Sequence, residues 1–123
     1  MAHNPEFLKL VNDAKSRVQE IDIAAYQKVR ASGDPHVLVD TREESEWAAG
    51  HVSGAVHLGK GIIERDIEGK VPDKATKLIL YCGGGFRSAL VADNLRLMGY
   101  TQAISLDGGW RAWSEGGMPT EKD

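Results

Sequence analysis

One stretch of this sequence constrains the fold more than any other: residues 78–88, Leu-Ile-Leu-Tyr-Cys-Gly-Gly-Gly-Phe-Arg-Ser. The apolar run Leu78–Tyr81 is typical of a buried strand, and Cys82 follows where that strand ends. Three glycines come next, and residues 89–98 then show a helical pattern of apolar side chains. The stretch therefore predicts a strand, a tight loop and a helix in direct succession, with a thiol in the loop.

The glycine loop that follows Cys82 is suited to holding a negative charge. Backbone amides at a helix N-terminus have no helical partner and carry partial positive charge. Glycines allow successive amides to turn toward one point, and Arg87 adds a permanent positive charge. A lone cysteine after a strand is more often a small buried apolar residue, but that role does not require three glycines. We therefore predict that Cys82 is a nucleophile, stabilised as a thiolate by the loop.

Three residues after the glycines are predicted to belong to the same site. Arg87 would orient the loop or bind an anion, and its structural alternative is a salt bridge to an acid such as Asp40 or Glu46. Ser88 is predicted foremost as a helix cap, with a hydrogen bond to the sulfur as its second role. Phe86 would form an apolar wall of the pocket or simply pack against neighbouring side chains.

The rest of the chain alternates short apolar strands with helices. Strands are expected over residues 37–39, 56–58, 77–81 and 103–106, and helices near residues 5–18, 23–31, 44–49, 62–67, 89–98 and 110–113. This alternation predicts an α/β domain with a mostly parallel central sheet of four to five short strands and helices on both faces. Ligands on such sheets bind beyond the carboxyl ends of the strands.

A second polar segment, residues 40–42, also follows a strand end, and we expect it to meet the cysteine loop in one pocket. Asp40 is assigned to loop support. Arg42 is expected to lie at the pocket entrance and attract an anion. Thr41 and Glu44 fit a capping box at the start of the next helix.

The composition argues against several classes of function. The net charge is −3 and no long basic run occurs, so nothing supports a nucleic-acid or membrane-surface partner. Residues 1–15 mix charged and apolar side chains, which predicts neither a signal peptide nor a membrane span. One cysteine cannot form an internal disulfide, and this fits a reducing, cytoplasmic setting. The single cysteine and four scattered histidines show no ligand spacing, so no metal or cofactor is predicted, and neither His51 nor His57 is assigned a catalytic role.

Four motifs in this order resemble the rhodanese family. They are residues 39–42 with Glu46-Trp47, residues 50–55, residues 80–82 with Arg87-Ser88, and residues 106–110. Together they cover most of the chain and are far more specific than any one of them. With this resemblance the chain divides into an N-terminal helical extension at residues 1–18, a rhodanese-like domain at 19–117 and a short C-terminal tail at 118–123. The extension is expected to be a packing helix or an assembly surface.

The resemblance implies a single-domain sulfurtransferase. In that family the loop cysteine takes a sulfane sulfur from a donor such as thiosulfate, holds it as a persulfide and passes it to a nucleophilic acceptor: cyanide, a thiol or a protein. The implied partners are therefore a small sulfur-containing donor and a sulfur-acceptor protein or low-molecular-weight thiol. The residues expected to contact the substrate around the catalytic Cys82 are Gly83, Gly84, Gly85, Phe86, Arg87, Ser88 and Arg42.

Three alternatives stay open at this point. The best-known thiosulfate enzymes often carry Arg or Lys just after the cysteine, where this chain has uncharged glycines, so a polysulfide or persulfide is a rival donor. A phosphatase or arsenate reductase is the second alternative. Related enzymes of those kinds have a loop one residue longer than the four residues that separate Cys82 from Arg87, and the shorter loop favours sulfur chemistry. A non-catalytic module that binds a partner protein is the third alternative, although such modules often lack the loop cysteine.

Overall fold

Short strands and helices alternate along residues 3–122, the part of the chain that this computed structural model describes. In chain order the elements are α1 Pro5–Lys15, β1 Gln19–Ile21, α2 Ile23–Ser32, β2 Val37–Asp40, α3 Glu44–Ala49, β3 His51–Val52, β4 Val56–His57, α4 Ile63–Lys70, β5 Leu78–Tyr81, α5 Phe86–Leu97, β6 Ala103–Leu106, α6 Gly109–Glu115 and β7 Thr120–Glu121. The predicted divisions at residues 1–18 and 118–123 extend slightly beyond the described range.

The main sheet has the strand order β1-β6-β5-β2-β4, and its strands pair in parallel. β5 lies in the middle and all four of its residues are buried. A strand covered on both faces has no polar side, which is why this segment appears in the sequence as an unbroken apolar run. The predicted α/β fold with a mostly parallel central sheet is confirmed.

The hydrophobic core lies on both faces of this sheet. Leu78 and Leu80 of β5 point into one cluster, which includes Ile67 of α4 and Leu95 of α5. The alternate residues Ile79 and Tyr81 point into a second cluster, with Tyr26 of α2 and Trp113 of α6. Fully burying one large apolar side chain stabilises the fold by roughly 1.5–3 kcal/mol. The two clusters therefore hold β5, and the loop that follows it, rigidly in place.

Three strands, β1, β3 and β7, were not predicted, because segments of only two or three residues leave no periodic signal. β1 forms by pairing with β6, and β7 pairs antiparallel with β3. Within the segment predicted as a C-terminal tail, Thr120 and Glu121 therefore form a short strand against β3.

The start of α3 also differs from the prediction. Glu43, and not Thr41, forms the capping box, and its partner is Glu46. The Thr41 hydroxyl instead donates a hydrogen bond to the Tyr81 carbonyl oxygen at 2.9 Å. This bond ties the end of β2 to the end of β5, one residue before Cys82.

Parallel pairing brings the functional segments to one edge of the sheet. Asp40 of β2 lies opposite Tyr81 of β5, so the segments that follow both strands emerge side by side. β6 is the other neighbour of β5, and the turn after β6 leads into α6 at the same edge. Within residues 3–122, none of the helices has the length and apolar character needed to cross a bilayer.

Candidate active site

Cys82 lies in the turn between β5 and α5, and its sulfur has two hydrogen-bonding neighbours. The backbone amide of Gly85 donates to Sγ at 3.1 Å. The thiol lies 3.5 Å from the Ser88 hydroxyl oxygen, to which it donates. Ser88 Oγ is also 2.8 Å from Ser105 Oγ on β6, and either hydroxyl can be the donor in that pair. Because a hydroxyl can rotate, Ser88 can turn its proton toward a thiolate while it accepts a hydrogen bond from Ser105.

The predicted capping role of Ser88 is wrong, because α5 begins earlier than the sequence suggested. Its N-cap is Gly85, in a left-handed conformation with φ +102° that strongly favours glycine. Ser88 therefore lies within the first turn of the helix, where its fully buried side chain points toward β6 and the sulfur.

The first turn of α6 holds the other side of the glycine loop. The amide of Trp110 donates to the Cys82 carbonyl oxygen at 2.8 Å, and the amide of Arg111 donates to the Gly83 carbonyl oxygen at 3.0 Å. Such a close approach requires Gly109, because a Cβ there would overlap the Cys82 carbonyl oxygen. Amide donors thus neutralise two carbonyl dipoles of the loop that would otherwise oppose a negative charge on the sulfur.

A cavity of about 280 Å³ lies beside this loop. Its lining residues are His3, Phe7, Cys82, Gly83, Gly84, Phe86, Arg87 and Arg111. Cys82 borders the cavity although the residue is only 1% exposed, so a reactant must enter the cavity to reach the sulfur. The structure thus brings most of the predicted loop residues together around one space, and their roles toward a substrate stay predictions.

Arg87 borders the cavity and is held by an acidic partner. Its two terminal nitrogens donate to the two carboxylate oxygens of Glu46 at 3.0 and 3.2 Å. This bidentate contact raises the pKa of Arg87 and lowers the pKa of Glu46. The salt bridge considered as the alternative role of Arg87 is therefore formed, with Glu46 as its partner. It fixes the Arg87 guanidinium beside the loop.

Arg42 does not line this cavity, and the expectation that it stands at the entrance is wrong. Its guanidinium donates to Asp40 Oδ2 at 2.7 Å and to the Gly50 carbonyl oxygen at 2.7 Å, with only 3% of the residue exposed. A buried cation that already binds a carboxylate and a carbonyl has little capacity left for a substrate anion. Sequence spacing placed Arg42 near the loop but could not show which way its side chain turns.

Asp40 is the acceptor at the centre of this buried group. Besides Arg42, it accepts a hydrogen bond from the Tyr81 hydroxyl at 2.7 Å. The same tyrosine oxygen accepts from the amide of Val52 at 3.0 Å. The predicted loop-support role of Asp40 stays a prediction, and these bonds give it a route through Tyr81, which directly precedes Cys82.

Arg111 is a cavity-lining residue that the sequence did not single out. One of its terminal nitrogens lies 3.5 Å from the position that a Cβ of Gly84 would occupy. No carboxylate of residues 3–122 lies within ion-pair distance of its guanidinium, in contrast to Arg87. The order of the strands could have pointed to Arg111, because the turn after β6 has to face the loop after its neighbour β5.

His3 and Phe7 are the second contribution that the sequence did not reveal. Both belong to the N-terminal segment, and their contact with a loop about eighty positions away depends on how α1 packs against α5.

Metal ligation receives no support from the geometry: residues 3–122 contain no cluster of three or more His, Cys, Asp or Glu side chains that could hold a metal ion.

Comparison with known proteins adds an independent finding. Residues 23–116 match the family described as "Rhodanese-like domain". The probable adenylyltransferase/sulfurtransferase MoeZ of Mycobacterium tuberculosis is 36% identical over 90 residues, which are 72% of this chain but only 22% of that protein. The thiosulfate sulfurtransferase GlpE of Pseudomonas entomophila is 32% identical over 91 residues, covering 74% of this chain and 82% of GlpE. A solved structure from Rhodopseudomonas palustris, of unknown function and described as a possible tyrosine phosphatase, superposes with a TM-score of 0.84 at 27% identity and covers 98% of both chains.

Proposed function

Because this chain belongs to the rhodanese-like domain family, we propose that Cys82 accepts a sulfane sulfur from an anionic donor and passes it, as a persulfide, to a nucleophilic acceptor. The observation that carries this proposal is the position of the sulfur. It borders a cavity of about 280 Å³, accepts a hydrogen bond from the Gly85 amide and has Arg87 and Arg111 nearby. The acceptor would be a thiol, cyanide or an acceptor protein.

The reaction proceeds in two displacements at sulfur. The Cys82 thiolate attacks the outer sulfur of the donor, and a new S–S bond forms. The bond between that sulfur and the rest of the donor breaks, and its electron pair leaves with the remainder, which is sulfite when the donor is thiosulfate. The acceptor then attacks the outer sulfur of the persulfide, and the electron pair of the S–S bond returns to Sγ. No general base is needed, because the thiolate supplies the attacking pair.

The residues around Cys82 contribute by stabilising charge. The Gly85 amide and the Ser88 hydroxyl can donate to the thiolate, and hydrogen bonds to charged groups are each worth roughly 1.5–3 kcal/mol. Hydrogen bonds from the first turn of α6 hold the carbonyl oxygens of Cys82 and Gly83, so the loop keeps its shape. The amide and hydroxyl groups that donate to the sulfur therefore need no rearrangement during the reaction.

Phosphate-ester hydrolysis is a second candidate, since the R. palustris structure described as a possible tyrosine phosphatase matches nearly the whole chain. Two features disfavour it here. Only four residues separate Cys82 from Arg87, one fewer than in the related phosphatases. Arg87 is also bound by Glu46 through both terminal nitrogens, whereas a phosphate would require that fork for itself.

Intact-protein mass measurement tests the proposal directly. We expect incubation with thiosulfate, polysulfide or an organic persulfide to add the mass of one sulfur atom, and cyanide to remove it as thiocyanate. The chain has a single cysteine, so the adduct needs no further mapping. Protein alkylated beforehand with iodoacetamide is the control and should gain nothing. Absence of an adduct with every donor, on a thiol shown to be reduced, would contradict sulfur transfer and favour a non-catalytic binding module.

Arg111 is expected to bind the charged end of the donor, in place of the basic residue that the glycine loop lacks. Since a charge-assisted hydrogen bond is worth roughly 1.5–3 kcal/mol, Arg111→Gln should lower kcat/KM for thiosulfate by about tenfold to a hundredfold. Arg111→Lys keeps the charge and should recover part of this loss. The matched control is Arg65→Gln, at an exposed arginine on α4 that does not line the cavity, and it should behave like the unaltered protein. A value for Arg111→Gln within twofold of the unaltered protein would overturn the assignment.

A further inference from the structure

The N-terminal helix lies outside the residues that match the family, yet it completes the cavity beside Cys82. The rings of His3, Phe7 and Phe86 pack together there, and we refer to them as the aromatic wall. The Phe7 and Phe86 centroids are 6.4 Å apart with their planes at 88°, and the His3 ring meets Phe86 edge-on at 4.5 Å. These distances and angles are those of favourable edge-to-face contacts between aromatic rings.

The aromatic wall is held by the packing of α1 against α5. Val11 and Ala14 of α1 are buried, and Arg17, just beyond the helix, donates to Asp93 of α5 at 2.7 and 3.1 Å. The ammonium group of Lys15 lies 5.0 Å from the centre of the Phe86 ring, which is the range of a cation–π contact. These contacts fix the helix beside the cavity, so the Phe7 side chain is held in the cavity lining.

The cavity therefore combines two kinds of surface. Phe7 and Phe86 give the aromatic wall an apolar surface, and Arg111 supplies a cation without a carboxylate partner among the described residues. The volume of about 280 Å³ is roughly nine times the 30 Å³ that one water molecule occupies in the liquid. A small inorganic anion would fill only part of this space and would leave the rings in contact with water, which is unfavourable for apolar surface.

Building on the proposed sulfur transfer, we infer that the donor suited to this site is an organic sulfane sulfur compound rather than bare thiosulfate. Its apolar group packs on the aromatic wall while its anionic end lies near Arg111. A thiosulfonate, R–SO₂–S⁻, reproduces this chemistry. The Cys82 thiolate forms a bond to the outer sulfur, the bond from that sulfur to the sulfonyl group breaks, and the electron pair leaves with the sulfinate R–SO₂⁻.

Two thiosulfonates that differ only in R test the inference. Benzenethiosulfonate and methanethiosulfonate present the same reacting group, and thiocyanate formation with cyanide measures kcat/KM for each. We expect the unaltered protein to prefer the benzene compound by roughly tenfold, because its ring is removed from water against the wall. Phe7→Ala should lower this preference by roughly fivefold, the loss expected for one ring–ring contact.

Leu10→Ala is the matched control, since Leu10 lies on the same helix, is 58% exposed and does not border the cavity. It should keep the preference of the unaltered protein. If Phe7→Ala weakens the docking of α1, as thermal unfolding would show, Phe7→Leu keeps an apolar side chain without the ring and should still reduce the preference. If the Phe7 variants keep the same ratio of kcat/KM for the two thiosulfonates as the unaltered protein, the inference is overturned, while sulfur transfer itself still stands. If no donor is turned over and no sulfur adduct forms, the proposed function itself is wrong and the inference fails with it.

Discussion

Replacement of Cys82 by serine is expected to abolish sulfur transfer, with kcat/KM falling by more than about a thousandfold for every donor. A serine hydroxyl is not ionised near neutral pH, and its oxygen cannot carry the transferred sulfur as a persulfide. The smaller oxygen can still accept from the Gly85 amide and lies beside the Ser88 hydroxyl, so the loop should keep its shape. Thiocyanate formation and the sulfur adduct on the intact protein are the two measurements.

The control for this variant is its stability. The thermal unfolding midpoint should stay close to that of the unaltered protein, which separates a lost nucleophile from a lost fold. Thiocyanate formation at an undiminished rate in Cys82→Ser would contradict the covalent mechanism. Because a cysteine phosphatase would also lose activity in this variant, the unaltered protein must be assayed with p-nitrophenyl phosphate as well. Hydrolysis of that ester without any sulfur transfer would favour the phosphatase alternative.

The features predicted well from the sequence are those set by neighbours along the chain. The apolar run of β5 and the glycines after Cys82 indicate strand and loop because burial and backbone freedom act over a few residues. The helix predicted near residues 23–31 corresponds to α2, whose ends are also set locally: the Asp22 side chain accepts from the Ala25 amide, and Gly33 adopts φ +71°. The parallel sheet follows from the alternation of such segments.

The features that could not be predicted depend on backbone and side-chain directions that only the packed fold sets. Arg42 lies two residues from Asp40 and eight from Gly50, but the residue pattern could not show that its guanidinium turns onto that carboxylate and that carbonyl. Ser88 was expected at a helix end, but Gly85 can adopt the left-handed conformation that starts the helix three residues earlier. Phe7 and Arg111 reach the cavity from elements whose placement no local pattern encodes. The position of Cys82 in a loop beside a cavity was therefore predictable, whereas the contribution of Phe7 and Arg111 to that cavity was not.

Removal of the Asp40 carboxylate should be the most destabilising of the proposed substitutions. Asp40 is fully buried and receives hydrogen bonds from the Arg42 backbone amide, the Arg42 guanidinium and the Tyr81 hydroxyl. Asp40→Ala leaves a buried cation without its counter-charge, and breaking a buried pair in this way costs about 3–5 kcal/mol. Domains are stable by only about 5–15 kcal/mol in total, so the urea unfolding midpoint should fall sharply.

A matched control removes a carboxylate of the same type from an exposed pair. Asp66 binds Arg65 on the surface of α4 at 2.7 Å, and Asp66→Ala should leave the urea midpoint nearly unchanged. The double variant Asp40→Leu with Arg42→Met fills the same space without charge and should recover much of the stability lost in Asp40→Ala. If Asp40→Ala is no less stable than Asp66→Ala, the buried pair does not hold the ends of β2 and β5 together. Recovery of the urea midpoint in the double variant would show that the stability lost in Asp40→Ala came from the unpaired guanidinium.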